Sequence, residues 1–430
     1  MTPQPTSDPR DSETAARTVE TVETVFRMES PRVIAGVTRV VRDVGIAEEL
    51  AQDALVAALE QWPRDGVPDN PGAWLMATAR NRAVDLVRRR ETYARKLAEI
   101  GRDPSAGITP PPEPADPDAI DDDLLRLVFT ACHPVLSAEA RTALTLRLLG
   151  GLTTTEIARA FLVPEATVAQ RIVRAKRTLA TRNVAFEVPH GPDREARLGS
   201  VLDVIYLIFN EGYAATSGDD WLRPGLCEDA LRLARLLSAL MPKESEVHGL
   251  TALLEFQASR AAARTGPDGE PVLLEHQNRA RWNRMLLARG VTALARADAT
   301  AAGAPGPYAL QAAIAACHAH AYRYQETDWH RIAVLYALLA ARAPSPVVEL
   351  NRAVAVSMAE GPAAALPLVD ALTGEPALRD YHLLPSVRGD LLARLGRTAE
   401  ARAEFERAAS LTRNARERDL LLRRAARTGA

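Results

Sequence analysis

From Gly101 to Asp123 the chain carries Asp103, Glu113, Asp116, Asp118, Asp121, Asp122 and Asp123 against Arg102 alone, interleaved with prolines. A segment of this kind has too few apolar side chains to fill a core. The 430 residues are too many for one compact core, and the length gives a prior of about two to four domains. Ala, Leu, Arg and Glu are abundant and aromatics make up only 5%, which favours helices, because these side chains lose little freedom in a helix. The expected fold class is all-α. The formal net charge of -2 averages basic elements against the acidic segment and says little about partners.

The basic elements are Trp74 to Arg90 (WLMATARNRAVDLVRRR) and Thr153 to Leu179 (TTTEIARAFLVPEATVAQRIVRAKRTL). Before the first, Ser30-Pro31 supplies a helix start, and a helix is expected from Ile46 to about Gln61. In that helix Ile46, Leu50 and Ala54, with Leu55 and Leu59, form an apolar stripe, leaving Glu48, Glu49, Gln52, Asp53 and Glu60 as a polar surface. Trp62-Pro63 and the run from Arg64 to Pro71 break the helix, and Asn70-Pro71 starts the next. There Leu75, Ala79, Ala83 and Leu86 are spaced for burial. Arg80, Arg82, Arg88, Arg89 and Arg90 remain for a polyanion. Trp74, near a helix start, is expected to pack inward.

The second element reads as helix, tight turn, helix. Ser137 caps a helix to about Leu149, Gly150-Gly151 stops it, and Thr153-x-x-Glu156 is a capping box opening a short helix to Phe161. Pro164 then turns the chain into a helix from Glu165 to Leu179, the layout that places a second helix in a major groove. Val168, Ile172, Ala175 and Leu179 recur at helical spacing and face inward. On the far side lie Ala166, Gln170, Arg174 and Arg177. They provide a small residue for close approach, an amide able to bond adenine bidentately, and arginines for guanine or phosphate.

Beyond about Val188, helices are expected at Leu198 to Asn210, Cys227 to Leu240, Glu244 to Arg264, Glu275 to Asp298, Tyr308 to Tyr324, Trp329 to Arg342 and Val347 to Glu360, with further pairs to the end. Gly361-Pro362-Ala363-Ala364 and Gly396-Arg397-Thr398-Ala399 fall at similar points between helices, close to the tetratricopeptide (TPR) period of roughly 34 residues. Leu391 to Leu411, with Gly396, Ala401, Phe405 and Ala408, resembles the second half of that repeat. Arrays of this kind are usually protein-binding scaffolds. In Tyr206 to Ser217 (YLIFNEGYAATS), Gly212 is read as a helix C-cap.

Cys132, Cys227 and Cys317 match neither a disulfide framework nor a zinc site. Cys317, His318 and His320 cannot share one helix face, so no metal or cofactor is expected. No apolar run reaches the roughly 18 to 20 residues of a membrane span, and the start MTPQPTSDPRDSETAAR lacks a signal peptide's apolar centre. A cytoplasmic location away from membranes is expected. No Ser/His/Asp set, phosphate loop or paired metal motif is present, so the chain is read as no enzyme.

AEELAQDALVAAL followed by WLMATARNRAVDLVRRR resembles region 2 of extracytoplasmic-function (ECF) sigma factors of RNA polymerase, with Trp74, Leu75, Ala79, Arg80, Asn81, Asp85, Arg88 and Arg89 in register. The resemblance implies that Glu49, Gln52 and Asp53 contact core polymerase at the β′ coiled coil. It also implies that Arg80, Asn81, Arg88 and Arg89 hold DNA of the -10 element, with a base captured by the loop Asp65 to Asn70. Thr153 to Leu179 resembles sigma region 4, which reads the -35 element and meets the β flap. Gln170 and Arg174 then contact bases, and Arg171, Lys176 and Arg177 contact phosphates. The acidic segment is a flexible spacer or, as in the family, a thread through polymerase channels.

FTACHPVLS, GGLTTTEIARAFLVPEATVAQRIVRAK and YLIFNEGYAATS extend the resemblance to the ECF subgroup with a fused TPR-like C-terminal domain. The implied organisation is a disordered tail at 1–18, region 2 as a helical bundle at 19–96 and a flexible linker at 97–123. Region 4 follows as a helix-turn-helix at 124–187, and a larger TPR-like helical extension occupies 188–430. An intramolecular contact of the extension with the sigma domains is a further expectation. The alternative is a helix-turn-helix activator with a TPR sensor domain that does not bind core polymerase. The acidic surface joined to WLMATARN argues against it.

Overall fold

The structure is a computed structural model that describes residues 9–101, 117–161, 163–213, 224–266, 270–412 and 414–428. Among the described residues the regular secondary structure is helical, apart from isolated β-bridge positions such as the pair Thr265 and Pro271. None of these helices is long and apolar enough to cross a membrane. The chain divides into two compact units, Met1–Val204 and Ile205–Ala430.

The first unit begins with α1 (Pro9–Val41), which passes through Pro31 without a break. No separate helix starts at Ser30-Pro31. A proline inside a helix costs about 3 kcal/mol, and burial on both sides of it offsets this: Val22, Ser30, Val33, Ile34, Ala35 and Val37 are all buried. Residues 9–18 of the expected tail are likewise helical, a stretch rich in helix formers behind Pro9; residues 1–8 lie outside the described ones.

Helix α2 (Val44–Asp65) is capped by Asp43, whose Oδ1 accepts from the Ile46 N–H at 3.0 Å. It runs through Pro63 and ends at Gly66, whose φ of 85° suits glycine. The buried stripe also differs from the expected one. Val44, Ala47, Glu48, Ala51, Ala54, Ala57, Ala58 and Trp62 are buried, while Ile46, Leu50, Leu55 and Leu59 are half-buried. Small alanines let α2 lie close to its neighbours, and the close-packed stripe takes Glu48 inward.

Helix α3 (Pro71–Gly101) opens as expected, with Asn70 Oδ1 accepting from Ala73 N–H at 3.0 Å. Leu75, Ala79 and Ala83 are buried and Leu86 is half-buried. Trp74 is half-buried and meets the buried Trp62 edge-on, ring centres 5.4 Å apart.

The expected linker 97–123 is helical at both ends. α3 continues to Gly101 and α4 (Pro117–Ala131) starts at a proline suited to a first turn. Asp123 is buried, because Arg39 of α1 at 3.2 Å and Arg126 at 2.7 Å neutralise it. The remainder, 102–116, lies outside the described residues.

Helices α5 (Ala138–Leu148), α6 (Thr154–Phe161) and α7 (Glu165–Thr181) pack on one another around Leu144, Leu148, Ile157, Val168 and Ile172. The capping box forms. Thr153 N–H donates to Glu156 Oε2 at 2.7 Å, and Glu156 N–H donates to Thr153 Oγ1 at 3.1 Å. Helix α8 (Gly191–Tyr213) gives residues 191–204 to this unit and 205–213 to the next. Ser200 Oγ donates to the Cys132 carbonyl at 2.6 Å and accepts from Arg141, so the first part of α8 closes the α4–α5 corner.

In the second unit, α9 (Pro224–Leu240), α11 (Arg284–Thr300) and α12 (Pro307–His320) pack on α10 (Ser245–Ser259), which is buried from Val247 to Phe256. Gly212 does not cap α8. The helix continues through it, and a Cβ there would meet Cys227 N at 2.7 Å, so its role is close approach to α9. The helix expected from Glu275 is instead two 3-10 turns at Leu274–His276 and Arg279–Arg281, with Asn283 capping α11. Then α13 (Trp329–Arg342), α14 (Pro346–Glu360), α15 (Pro362–Ala371), α16 (Leu383–Arg394), α17 (Thr398–Leu411) and α18 (Ala415–Arg427) follow, each packed on its sequence neighbour. Gly361 and Gly396 adopt φ of 98° and 78° at the turns. Ala401, Phe405 and Ala408 are buried in the shared core. Stacked helical hairpins are thus observed, within a larger helical C-terminal domain.

Candidate nucleic-acid interface

Helix α7 turns one face inward through Val168, Ile172, Ala175 and Leu179, all buried. The opposite face carries Ala166, Gln170, Arg174 and Arg177, all exposed. The two remaining candidates lie on the flanks. Arg171 is half-buried on the side toward the start of α5. There the Glu139 carboxyl is held below the usual carboxylate range, first by its own backbone N–H and the Ser137 hydroxyl, with smaller attraction from Arg171 and Arg141.

Lys176 lies on the other flank and forms an ion pair with Glu48 Oε2 of α2. Glu48 is 5% exposed. Its Oε1 accepts from Arg147 Nε at 2.6 Å and from Gln52 Nε2 at 3.1 Å, and its Oε2 meets the Lys176 ammonium. A carboxylate removed from water is tolerable only when paired and hydrogen-bonded, and two cations with one amide satisfy that requirement here. Arg147 also donates to the Leu152 carbonyl at 3.2 Å. Glu48 therefore joins α2, α5 and α7.

On α2 the candidate residues Glu49 and Asp53 are exposed and one turn apart, while Gln52 is half-buried and committed to Glu48. Val56, 52% exposed, sits among them on the same outer face. Asp53 also comes within 3.9 Å of Arg82 on α3, which brings the acidic and basic surfaces edge to edge.

On α3 the candidates do not form one patch. With Leu75, Ala79 and Ala83 inward, the helical repeat sets Asn81 and Arg88 on the outer face and puts Arg80 and Arg89 on opposite flanks. Asn81, Arg88 and Arg89 are exposed and Arg80 is half-buried. Such a helix offers cations on three sides, which suits strands passing around it more than a single groove.

Two residues absent from the sequence reading emerge here, Val56 on α2 and Val173 on α7, the latter 62% exposed. Both are branched apolar residues on outward faces that carry mainly polar ones. Helical spacing carries the signal for both, since each falls on the side opposite the buried stripe of its helix.

Cys132 is buried beside Thr145, sulfur to hydroxyl 3.2 Å, and burial raises its thiol to about 11. Among the described residues no group of three or more His, Cys, Asp and Glu is placed to hold a metal ion.

Comparison with known proteins adds to this geometry. Residues 25–92 match the family model for sigma-70 region 2 and residues 126–179 that for sigma-70 region 4. Residues 197–298 match a family of unknown function (DUF6596). The chain is 47% identical over 390 residues to an uncharacterized protein of Rhizobium meliloti (strain 1021), spanning 90% of this chain and 91% of that one. It is 32% identical over 163 residues to the ECF RNA polymerase sigma factor SigK of Mycobacterium sp. (strain KMS), covering 37% of this chain and 80% of the relative. The same identity holds over 152 residues with SigK of Mycobacterium tuberculosis (strain ATCC 25177 / H37Ra), covering 34% of this chain and 78% of the relative. No solved structure matches the chain.

Proposed function

The chain belongs to the ECF sigma factors of RNA polymerase, and from that membership we propose how its parts divide the work of initiating transcription. As a sigma factor it binds core polymerase and promoter DNA. In our reading the outer face of α2, with Glu49, Gln52 and Asp53, meets the β′ coiled coil. Arg80, Asn81, Arg88 and Arg89 of α3 hold the -10 strands, phosphates by charge and unpaired bases by stacking on guanidinium planes. Helix α7 enters the major groove of the -35 element. There Ala166 permits close approach, Gln170 and Arg174 meet base edges, and Arg171, Lys176 and Arg177 meet phosphates; the region 4 body docks on the β flap. The phosphodiester chemistry stays with the polymerase, in the cytoplasm.

The observation that carries this reading is the exposed α7 face of Ala166, Gln170, Arg174 and Arg177, in one chain with the acidic α2 face. A helix-turn-helix activator requires the first and not the second. For the second unit we propose a regulatory role through contact with the sigma part, gating core binding.

Run-off transcription with core polymerase over a genomic promoter library tests both statements, using the full chain and a chain ending at Val204, which keeps the Ser200 contacts. Initiation from a defined promoter set is expected. DNA binding without any binding to core would favour the activator, and unchanged activity and promoter choice after truncation would remove the gating role.

A further inference from the structure

The four buried residues of α7 define its inward direction. With about 100° per residue, Ala166, Gln170 and Arg177 fall within about 30° of the outward direction, and Val173 and Arg174 flank it about 50° to either side. Val173 is 62% exposed, next to Gln170 and Arg177 at one-turn spacing and beside the flank held by Lys176 and Glu48.

Nothing in the fold requires a valine there. A β-branched side chain on an exposed helical position loses rotamer freedom and lowers helix propensity, and at this exposure it buries little area in return. An isolated surface valine is common. This one instead stands on the face that carries the amide and guanidinium groups of the interface. Of the groups a major groove presents at its base edges, the apolar one is the thymine C5 methyl.

We propose that Val173 is a specificity-determining residue that packs its methyl groups against the C5 methyl of a thymine in the -35 element. The proposal rests on the assignment of α7 as the -35 reading helix. Val173 stands about 4.5 Å along the helix from Gln170, and successive bases are about 3.4 Å apart. The thymine therefore lies within about one or two base pairs of the base that Gln170 reads.

The test uses holoenzyme assembled from the full chain and core polymerase, on duplexes carrying a -35 element selected by that holoenzyme from random sequence. Each thymine in turn is replaced by deoxyuridine, which removes the methyl and leaves every hydrogen-bonding group in place. At one position binding should fall about fourfold, the worth of one buried methyl-sized group. In Val173→Ala the thymine duplex should show a similar loss and the deoxyuridine replacement no further one, while Val173→Thr, which keeps one branch methyl, should retain sensitivity. Val173→Ala removes a β-branched residue from an exposed helix, so its folding is not at risk. If every deoxyuridine is silent, or if the loss persists unchanged in Val173→Ala, the proposal is overturned. Gln170→Ala and Arg174→Ala on the same duplexes separate the two levels. Lost base preference in these variants with silent deoxyuridine rejects Val173 alone, whereas unchanged preference in both rejects α7 as the reading helix.

Discussion

Glu48 of α2 and Lys176 of α7 form an ion pair that joins the helix assigned to polymerase contact with the helix assigned to promoter reading. An ammonium held by a buried carboxylate is not free for a phosphate, and the two acceptors compete for it. DNA that takes Lys176 must displace Glu48, which would then retain Arg147 and Gln52.

Glu48→Gln should therefore raise the affinity of the full chain for a -35 duplex in the absence of polymerase. The salt slope should stay as it is, because the same ammonium reaches phosphate in both proteins and only the cost of displacing Glu48 is removed. Fluorescence anisotropy across a salt series measures both. The same substitution weakens a buried charge cluster, at a cost on the order of 3 kcal/mol, visible as a lower melting temperature. A destabilised variant with unchanged DNA affinity would show that Lys176 does not exchange partners.

Gln170→Ala and Lys176→Ala should differ in kind. Loss of the amide should relax base preference at one position by about 1–3 kcal/mol, whereas loss of the ammonium should weaken all sequences alike and lower the salt slope by about one. Competition binding against single-base variants distinguishes them, and equal losses from both would reject the division into base and phosphate contacts.

Local signals in the sequence were legible where one residue satisfies one backbone group. The Thr153–Glu156 capping box, the Asn70 and Ser137 caps and the inward stripe of α7 all stand where the pattern placed them. Signals that depend on partners far along the chain were not. Glu48 looked like part of a polar surface until Arg147 and Lys176 arrived from 99 residues away and beyond. Pro31 read as a helix start and Pro63 as a breaker, and both lie inside helices, since tertiary burial outweighs local propensity. Gly212 read as a cap and instead makes room for α9. The outward faces were under-read for the same reason: an exposed valine acquires meaning only once its neighbours are fixed.

Gly249 on α10 shows the same principle as a stability prediction. A Cβ there would meet the Ala309 nitrogen at 2.6 Å and Ala309 Cα at 2.9 Å, backbone atoms at the start of α12 that cannot swing away. Glu246 anchors that start, accepting from Tyr308 and Ala309 N–H at 2.9 and 3.0 Å. Gly249→Ala should lose about 1–3 kcal/mol through overpacking, despite the better helix propensity of alanine. Gly199 on α8 has nothing within 4 Å, and Gly199→Ala should gain about 0.5–1 kcal/mol. Urea midpoints moving in opposite directions are expected; a gain at both positions would mean that α10 and α12 are not so closely apposed.

His318 on α12 predicts how the second unit answers acid. Its ring lies edge-on to Trp329, centres 5.1 Å apart, and its Nδ1 has no partner. Burial, and then the charges of Arg260 and Arg279, push its pKa down to about 3, whereas an unfolded chain returns it to about 6.5. Between those values the unfolded state holds a proton that the folded state lacks, so stability is lost as pH falls below about 6.5, by up to about 1.4 kcal/mol per pH unit. His318→Gln removes this titration and leaves the carboxylates and the other histidines as they were. Urea denaturation of both proteins at pH 7, 6 and 5 should give a difference in stability that shifts toward the variant as pH drops, corresponding to about one proton fewer taken up on unfolding. Parallel pH profiles would show that the His318 ring is not held neutral by its surroundings.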